Sequence, residues 1–262
     1  MTTLFEAVQK VGRKLVAVRT GTVDSGNATT MVDAMRYEGV DFWNKGTFLN
    51  LSNLTWAHIT NFVNGTGTFT HPTITANDAD DKYMVIIPRY PLDSLIEGIN
   101  AAIQECKIPK EDITSLDTIT NTLEYALPTG VTRQTLRQVW VNTNTTAKPE
   151  WKLMRNWDVK FNDGGQESLI LQSKVEAGKD IRLVYTGFPS ALQETTDAIS
   201  PYIPDDKWLP QAALNVVESR LHFKSGSKHE DRMIMRFENQ VKEAKGVVIK
   251  LPQIRGKLVA TW

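Results

Sequence analysis

From Gly21 to Val85 the chain is a succession of short alternating segments divided by glycine, asparagine and aspartate. Thr47–Ser52, His58–Val63, Thr66–Thr70 and Lys82–Ile87 each read as a strand. Thr, Val, Ile and aromatic residues fill the segments, as a pleated, half-buried surface requires. Phe48 and Asn50 fall on one face of the first segment. Asn64-Gly65 lies between the second and third, where it can supply the positive φ angles of a tight hairpin. The acidic turn Asn77-Asp78-Ala79-Asp80-Asp81 leads into the fourth. Segments this short, with turn residues at each joint, describe a compact antiparallel β module.

The rest of the chain is arranged around this module. Residues 3–14 read as a short helix with Leu4, Val8 and Val11 on one face, and Gly12 weakens its end. Leu15–Thr22 alternates and opens the module, and Arg36–Gly39 interrupts it as a loop or helical turn. Leu92, Leu95, Ile96, Ile99, Ala102, Ile103 and Cys106 keep a helical period over 91–106, with Pro91 in the first turn and Pro109 ending the helix. A second β region follows, with strands at Arg137–Asn142, Trp151–Phe161, Ser168–Val175 and Asp180–Thr186. Glu176–Lys179 reads as a hairpin loop between the last two, and Asp163-Gly164-Gly165 as a turn. Asp205 or Asp206 caps a helix over 207–223, lined by Leu209, Ala213, Val216, Val217 and Leu221. After Ser225-Gly226-Ser227 a second helix returns over 228–244, with Met233, Ile234, Phe237, Val241 and Ala244 apolar.

The expected fold class is α+β: antiparallel β-sandwich-like modules, a packed helical layer and an extended C-terminal tail. The expected divisions are 1–90 (β module with leading helix), 91–112 (amphipathic helix), 113–190 (second β region), 191–245 (helical pair) and 246–262 (tail). One apolar face of helix 207–223 should close the domain and leave a second for neighbours.

A chain of 262 residues can bury a sizeable core, as one large domain or two smaller ones. Thirty basic and thirty acidic residues cancel, so no global field draws the chain to DNA or to an anionic membrane. The single cysteine, Cys106, excludes an intrachain disulfide and reads as a small core residue. No secretion signal and no apolar run of membrane-spanning length is visible, so the expectation is a chain made in the cytoplasm. The Asn-x-Ser/Thr triplets at Asn27, Asn50, Asn53, Asn64 and Asn144 then read as products of a polar β surface.

Few residues invite chemistry. His58, His71, His222 and His229 are scattered and show no zinc-ligand spacing. Asp78, Asp80 and Asp81 lack the glycine and glutamate of a calcium loop and read as a solvated turn. No phosphate-binding loop, nucleophile elbow or metalloprotease motif occurs. The expectation is no enzyme, no cofactor and no metal. Of the seven tryptophans (Trp43, Trp56, Trp140, Trp151, Trp157, Trp208, Trp262), most should be core or sheet anchors, and an exposed pair could stack on sugar rings.

One resemblance stands out. A Thr/Ser/Gly-rich opening strand precedes Asp41-Phe42-Trp43-x-x-Gly46-Thr47. Ile59-Thr60-x-Phe62, Gly67-Thr68-Phe69-Thr70, a loop led by Pro72, the acidic turn and a strand containing Tyr83 follow in order. This order resembles the N-terminal β module of tailed-bacteriophage virion proteins, notably head–tail connector (neck, adaptor) proteins, over about a quarter of the chain. The resemblance implies a structural virion protein made in the host cytoplasm and placed in the neck. It implies a homo-oligomeric ring matching the portal symmetry, with the portal protein and a downstream neck or tail protein as partners. Genomic DNA would pass through the channel without sequence-specific binding, and no membrane is involved. Two alternatives stay open: a tail component such as a tail terminator or baseplate protein, and a carbohydrate-binding β-sandwich module.

The tail 246–262, GVVIKLPQIRGKLVATW, is apolar and basic with no acidic residue. Val248, Leu251, Ile254, Leu258 and Trp262 would be buried at an interface, and Lys250, Arg255 and Lys257 would meet acidic partner surface. Folding back as an edge strand on its own β domain is the other reading.

Overall fold

The computed structural model describes residues 2–119, 122–144, 149–161, 165–173, 175–194, 196–221 and 228–246. They form an α+β fold of four helices and four antiparallel sheets. The chain divides into two compact units, one made of residues 1–102, 192–199 and 204–262, the other of 103–191 and 200–203.

The first unit opens with α1 (Leu4–Lys14). Thr3 and Glu6 cap it reciprocally: Thr3 N–H donates to the Glu6 carboxylate at 2.9 Å and Glu6 N–H to the Thr3 hydroxyl at 3.4 Å. Leu4, Val8 and Val11 are buried, as the spacing predicts, and so are Phe5 and Ala7. Gly12 does more than weaken the helix end. A Cβ there would collide with the Val18 side chain, so glycine lets the next strand fold back against the helix. Val16 makes the reversal with φ 54°, a backbone region that β-branched residues rarely enter.

Eight strands follow: β1 (Val18–Thr22), β2 (Ser25–Gly26), β3 (Thr30–Val32), β4 (Thr47–Asn50), β5 (Thr55–His58), β6 (Asn61–Val63), β7 (Thr68–Thr70) and β8 (Lys82–Ile86). One sheet has the order β1-β8-β4-β5 and the other β2-β3-β7-β6. Met31, Trp43, Phe48, Ile59, Phe62, Phe69 and Tyr83 form a core to which both sheets contribute.

Two expectations for this region need correction. His58–Val63 is not one strand: β5 ends at His58, and β6 begins at Asn61 in the other sheet. Ile59 N–H bonds to Gly46 O at 2.8 Å and Thr60 N–H to Thr70 O at 2.8 Å, so adjacent residues serve different sheets. The β6–β7 hairpin is a four-residue turn over 64–67, and its left-handed residue is Gly67 (φ 61°), not Asn64 or Gly65.

Three more helices complete the unit: α2 (Leu92–Gln104), whose last two residues are counted with the second unit, α3 (Asp205–Leu221) and α4 (Lys228–Gly246). Gly98 permits close approach of α2 and α3, since a Cβ there would strike Val216. Asn100 holds the backbone of Leu192 on both sides, donating to its carbonyl at 3.0 Å and accepting from its N–H at 2.8 Å. On α4, Phe237, Val241 and Ala244 are buried as predicted. On α3, Leu209 is only half-buried, while Trp208, Pro210, Ala212, Ala213, Leu214, Val216 and Val217 are buried. A helix covered on so much of its circumference is a core helix. The second apolar face expected for neighbours is already used within the chain.

The second unit holds β9 (Ile108–Asp112), β10 (Glu124–Ala126), β11 (Leu136–Asn142), β12 (Trp151–Met154), β13 (Trp157–Phe161), β14 (Glu167–Leu171) and β15 (Ile181–Gly187). Its sheets run β12-β11-β15-β9 and β10-β14-β13. Leu136, Val139, Val141, Val159, Leu169, Leu171, Ile181 and Leu183 form their common core.

Here too the boundaries shift. The 91–112 segment is not all helix, because β9 occupies Ile108–Asp112. Pro109 sits inside that edge strand, where a missing N–H is tolerated. Cys106 lies past the end of α2 and is half-buried. Trp151–Phe161 splits at Arg155-Asn156 into strands of different sheets. β14 and β15 also belong to different sheets, so 176–179 is a crossing between sheets rather than a hairpin loop, with Gly178 at φ 72°.

Candidate interaction loop

The segment 33–45 of the first unit leaves β3, makes no regular structure and returns to β4. It displays Met35 (77% exposed), Tyr37 (83%), Val40 (70%) and Phe42 (50%). Val16, in the turn after α1, is 66% exposed. Single apolar residues on a surface need no explanation, but four in one short loop make it the candidate interaction site of this unit.

The loop is anchored at both ends. At its start Asp33 is buried, and its N–H donates to Gly67 O at 3.0 Å. A Cβ on Gly67 would strike the Asp33 carbonyl, which explains why the hairpin places glycine there. Tyr83 Oη donates to Asp33 Oδ2 at 2.5 Å and accepts from Arg36 Nε at 2.6 Å. Burial, then the bond to Asp33, pushes the Tyr83 phenol well above its usual range, so it remains a proton donor. Arg36 also donates from Nη2 to Thr20 O on the edge strand β1 at 2.5 Å, and from Nη1 to Glu38 Oε1 at 3.3 Å. Ala34 N–H is held by Asp24 Oδ2 at 2.7 Å. At the far end Trp43 is buried and meets Phe42 edge-on, with ring centroids 4.9 Å apart. Lys45 N–H donates to Ile59 O at 2.9 Å. Asp41 (φ 59°) and Lys45 (φ 66°) are left-handed, which places local strain inside the loop. An open groove of about 420 Å³ runs beside the Arg36 anchor, lined by Thr20, Gly21, Thr22, Asp24, Asp33 and Met35.

The tail residues Val248, Lys250, Leu251, Ile254, Arg255, Lys257, Leu258 and Trp262 lie outside the described residues, as do His222 and Asp163-Gly164. For His229 only the backbone is described. His58 is exposed on β5 against the Trp56 ring, centroids 5.5 Å apart. His71 is buried, stacks flat on Phe48 at 5.0 Å, and sits between Pro72 O (Nδ1, 2.8 Å) and Asn77 Nδ2 (Nε2, 3.1 Å). Asn77 continues through Asn50 to Asp81 Oδ2, which accepts from Asn50 Nδ2 at 2.8 Å and Asp78 N–H at 3.1 Å. The bond from Asn50 holds the Asp81 carboxyl below its usual range. These groups tie the acidic turn to the core.

Among the described residues no cluster of His, Cys, Asp and Glu is arranged to hold a metal ion. Of the tryptophans there, Trp43 and Trp208 are buried, Trp140, Trp151 and Trp157 are half-buried, and Trp56 alone is exposed, so they offer no exposed pair. The second unit has a cleft of about 350 Å³ beside Asn142, Lys152, Ser173 and Lys179. Its main cation is engaged, with Lys179 Nζ 3.6 Å from Glu176 Oε2.

Sequence reasoning placed a loop or helical turn at Arg36–Gly39 and gave it no role. The available signal was Met35, Tyr37, Val40 and Phe42 at spacings that suit neither a strand nor a helix, in a stretch otherwise built from strands. Among the described residues no helix is long and apolar enough to cross a membrane. Compared with known proteins, the chain matches no protein-family model and no curated protein.

Proposed function

We propose that this chain is a structural virion protein of a tailed bacteriophage, a head-to-tail adaptor forming a ring between portal and tail and lining the DNA channel. The observation that carries the docking role is the 33–45 loop: large apolar side chains held out to solvent on a buried Tyr83–Asp33–Arg36 anchor. A surface fixed before contact loses little entropy on binding, which is what a repeated subunit contact requires. The order of residue types along 21–85 supplies the family reading. The balanced charge of the chain suits a channel that lets DNA pass without gripping it. Its partners in this reading are further copies of itself, the portal protein and the next neck or tail protein, and its work is structural.

The test is the mass of the purified chain by light scattering, alone and mixed with portal protein, together with protein identification in purified virions. The expected result is a ring-sized species on the portal that Tyr37→Asp with Val40→Asp prevents without altering the unfolding curve. A chain that stays monomeric with portal protein and is missing from virions would overturn the proposal.

A further inference from the structure

Asn64-Gly65 is the single Asn-Gly pair of the sequence, and it opens the turn of the β6–β7 hairpin. Gly65 is exposed, and a Cβ placed on it would meet nothing within 4 Å. Among the described residues neither the Asn64 amide nor the Gly65 N–H takes part in a hydrogen bond. Other asparagines of this unit are held. Asn27 Oδ1 accepts from the N–H groups of Thr29 and Thr30 at 2.8 and 2.9 Å. Asn53 Oδ1 accepts from Thr55 Oγ1 at 2.5 Å, and Asn50 Nδ2 donates to Asn77 Oδ1 at 3.1 Å. Asn61 is exposed, but it lies in β6 and precedes the buried Phe62. An amide carbon reacts with the next backbone nitrogen only if it can turn toward it. A side chain on that next residue crowds the approach, and glycine has none. Position 64 is under neither restraint.

We infer that Asn64 is a self-modification site, and that its isoaspartyl product loosens the root of the 33–45 loop. The chemistry needs only solvent. Gly65 N gives its proton to hydroxide and attacks Asn64 Cγ. The new N–C bond forms as the Cγ–Nδ2 bond breaks, and the leaving nitrogen takes a proton from water and departs as ammonia, restoring the hydroxide. Water then opens the cyclic imide at either carbonyl. Opening at Cγ leaves an aspartyl residue. Opening at the main-chain carbonyl leaves an isoaspartyl residue, whose backbone runs through Cβ and Cγ and is one carbon longer. Either product gains a negative charge, and only the second alters the chain path. Val63 and Thr68 are paired across the hairpin, so residues 64–67 must absorb the added carbon. Gly67 is the member with least freedom. It is buried at φ 61°, its carbonyl accepts from Asp33 N–H at 3.0 Å, and the Asp33 carbonyl stands where its Cβ would be. A shift of Gly67 releases Asp33 and with it the near end of the loop.

The test uses the purified full-length chain, incubated in mildly alkaline buffer and mapped by mass spectrometry, with isoaspartate read by enzymatic methylation. The peptide carrying position 64 should gain the mass difference between an amide and an acid before those carrying the exposed Asn156 or Asn239. Fragmentation should place the change at 64 rather than at Asn61. Gly65→Ala should slow it several-fold, and Asn64→Gln should abolish it. In the isoaspartyl fraction, separated by ion exchange, the Asp33 amide should exchange its hydrogen several-fold faster than in fresh protein. Asn64→Asp carries the charge on the ordinary chain path and should exchange there like the parent. Modification that appears first at another asparagine, or that Gly65→Ala leaves at the parental rate, overturns the assignment of the site. Unchanged exchange at Asp33 in the isoaspartyl fraction, or equal quickening in Asn64→Asp, overturns the link to the loop.

Discussion

Tyr83 gives its phenolic proton to Asp33 across 2.5 Å, joining the central strand β8 to the root of the exposed loop. The phenol is also the acceptor for Arg36, so one hydroxyl fixes two residues that carry opposite charges. Tyr83→Phe keeps the ring and removes both bonds. Hydrogen bonds to charged groups contribute about 1.5–3 kcal/mol, and the variant should lose stability in that range by urea unfolding. Hydrogen exchange over residues 33–42 should quicken more than the global loss explains. A variant as stable as the parent, with an unchanged loop, would show that the anchor is incidental.

The hairpin glycines should respond in opposite ways. Gly67 combines φ 61° with a Cβ position blocked by the Asp33 backbone, so Gly67→Ala must move main chain at the loop root. A loss of more than about 2 kcal/mol is expected, because strain and collision add. Gly65 faces open space, and Gly65→Ala should be neutral or gain up to about 1 kcal/mol by restricting the unfolded chain. Thermal unfolding of the two variants side by side decides; equal losses would contradict the assignment of the turn.

His71 should make stability depend on pH. Burial lowers its pKa from 6.5, opposed by the bond to Pro72. With Nδ1–H donating to Pro72 O, Nε2 accepts from Asn77, and a second ring proton would face the Asn77 amide hydrogens. Because the unfolded chain takes up this proton at a higher pH than the folded one, the contribution is full above about pH 6.5. It declines as pH falls from there toward the lower folded pKa. The carboxyl of Asp81, depressed by Asn50, adds a separate loss at more acid pH, as the pH falls below the ordinary carboxylate range. Unfolding free energies from pH 7.5 to 5 should slope downward in the parent and flatten in His71→Phe. Parallel slopes would remove His71 from the account.

Val16 pairs an unfavourable backbone with an exposed apolar side chain. Val16→Asn should raise the stability of the folded chain by about 1 kcal/mol, since asparagine tolerates left-handed φ and valine does not. The same change should weaken joining to portal or neighbouring copies. A less stable variant, or one that assembles as well as the parent, would refute that reading of the position.

Elements governed by local signals were legible in the sequence. The Leu4–Val8–Val11 face located α1, apolar residues recurring at the helical period from Leu92 to Ile103 located α2, and turn residues bounded β4 and β8. Alternation failed where the chain changes sheets. At both crossings the alternation slips, with two exposed residues in succession at Thr60-Asn61 and at Arg155-Asn156 while the hydrogen-bonding partners are replaced, and a slip this short reads in the sequence as one continuous strand. The loop at Arg36–Gly39 was legible but its anchoring was not, because Tyr83 and Gly67 are remote in sequence from Arg36 and Asp33, and only the fold brings them together.

The two-residue passage at Ile59-Thr60 also has a mechanical consequence. β5 and β6 belong to separate sheets, yet only two residues join them, and both are held by backbone bonds. Tension that draws one sheet away from the other must run along that short covalent link rather than through a slack connector. The two layers should therefore yield together under pulling, as a single rupture in a force–extension trace.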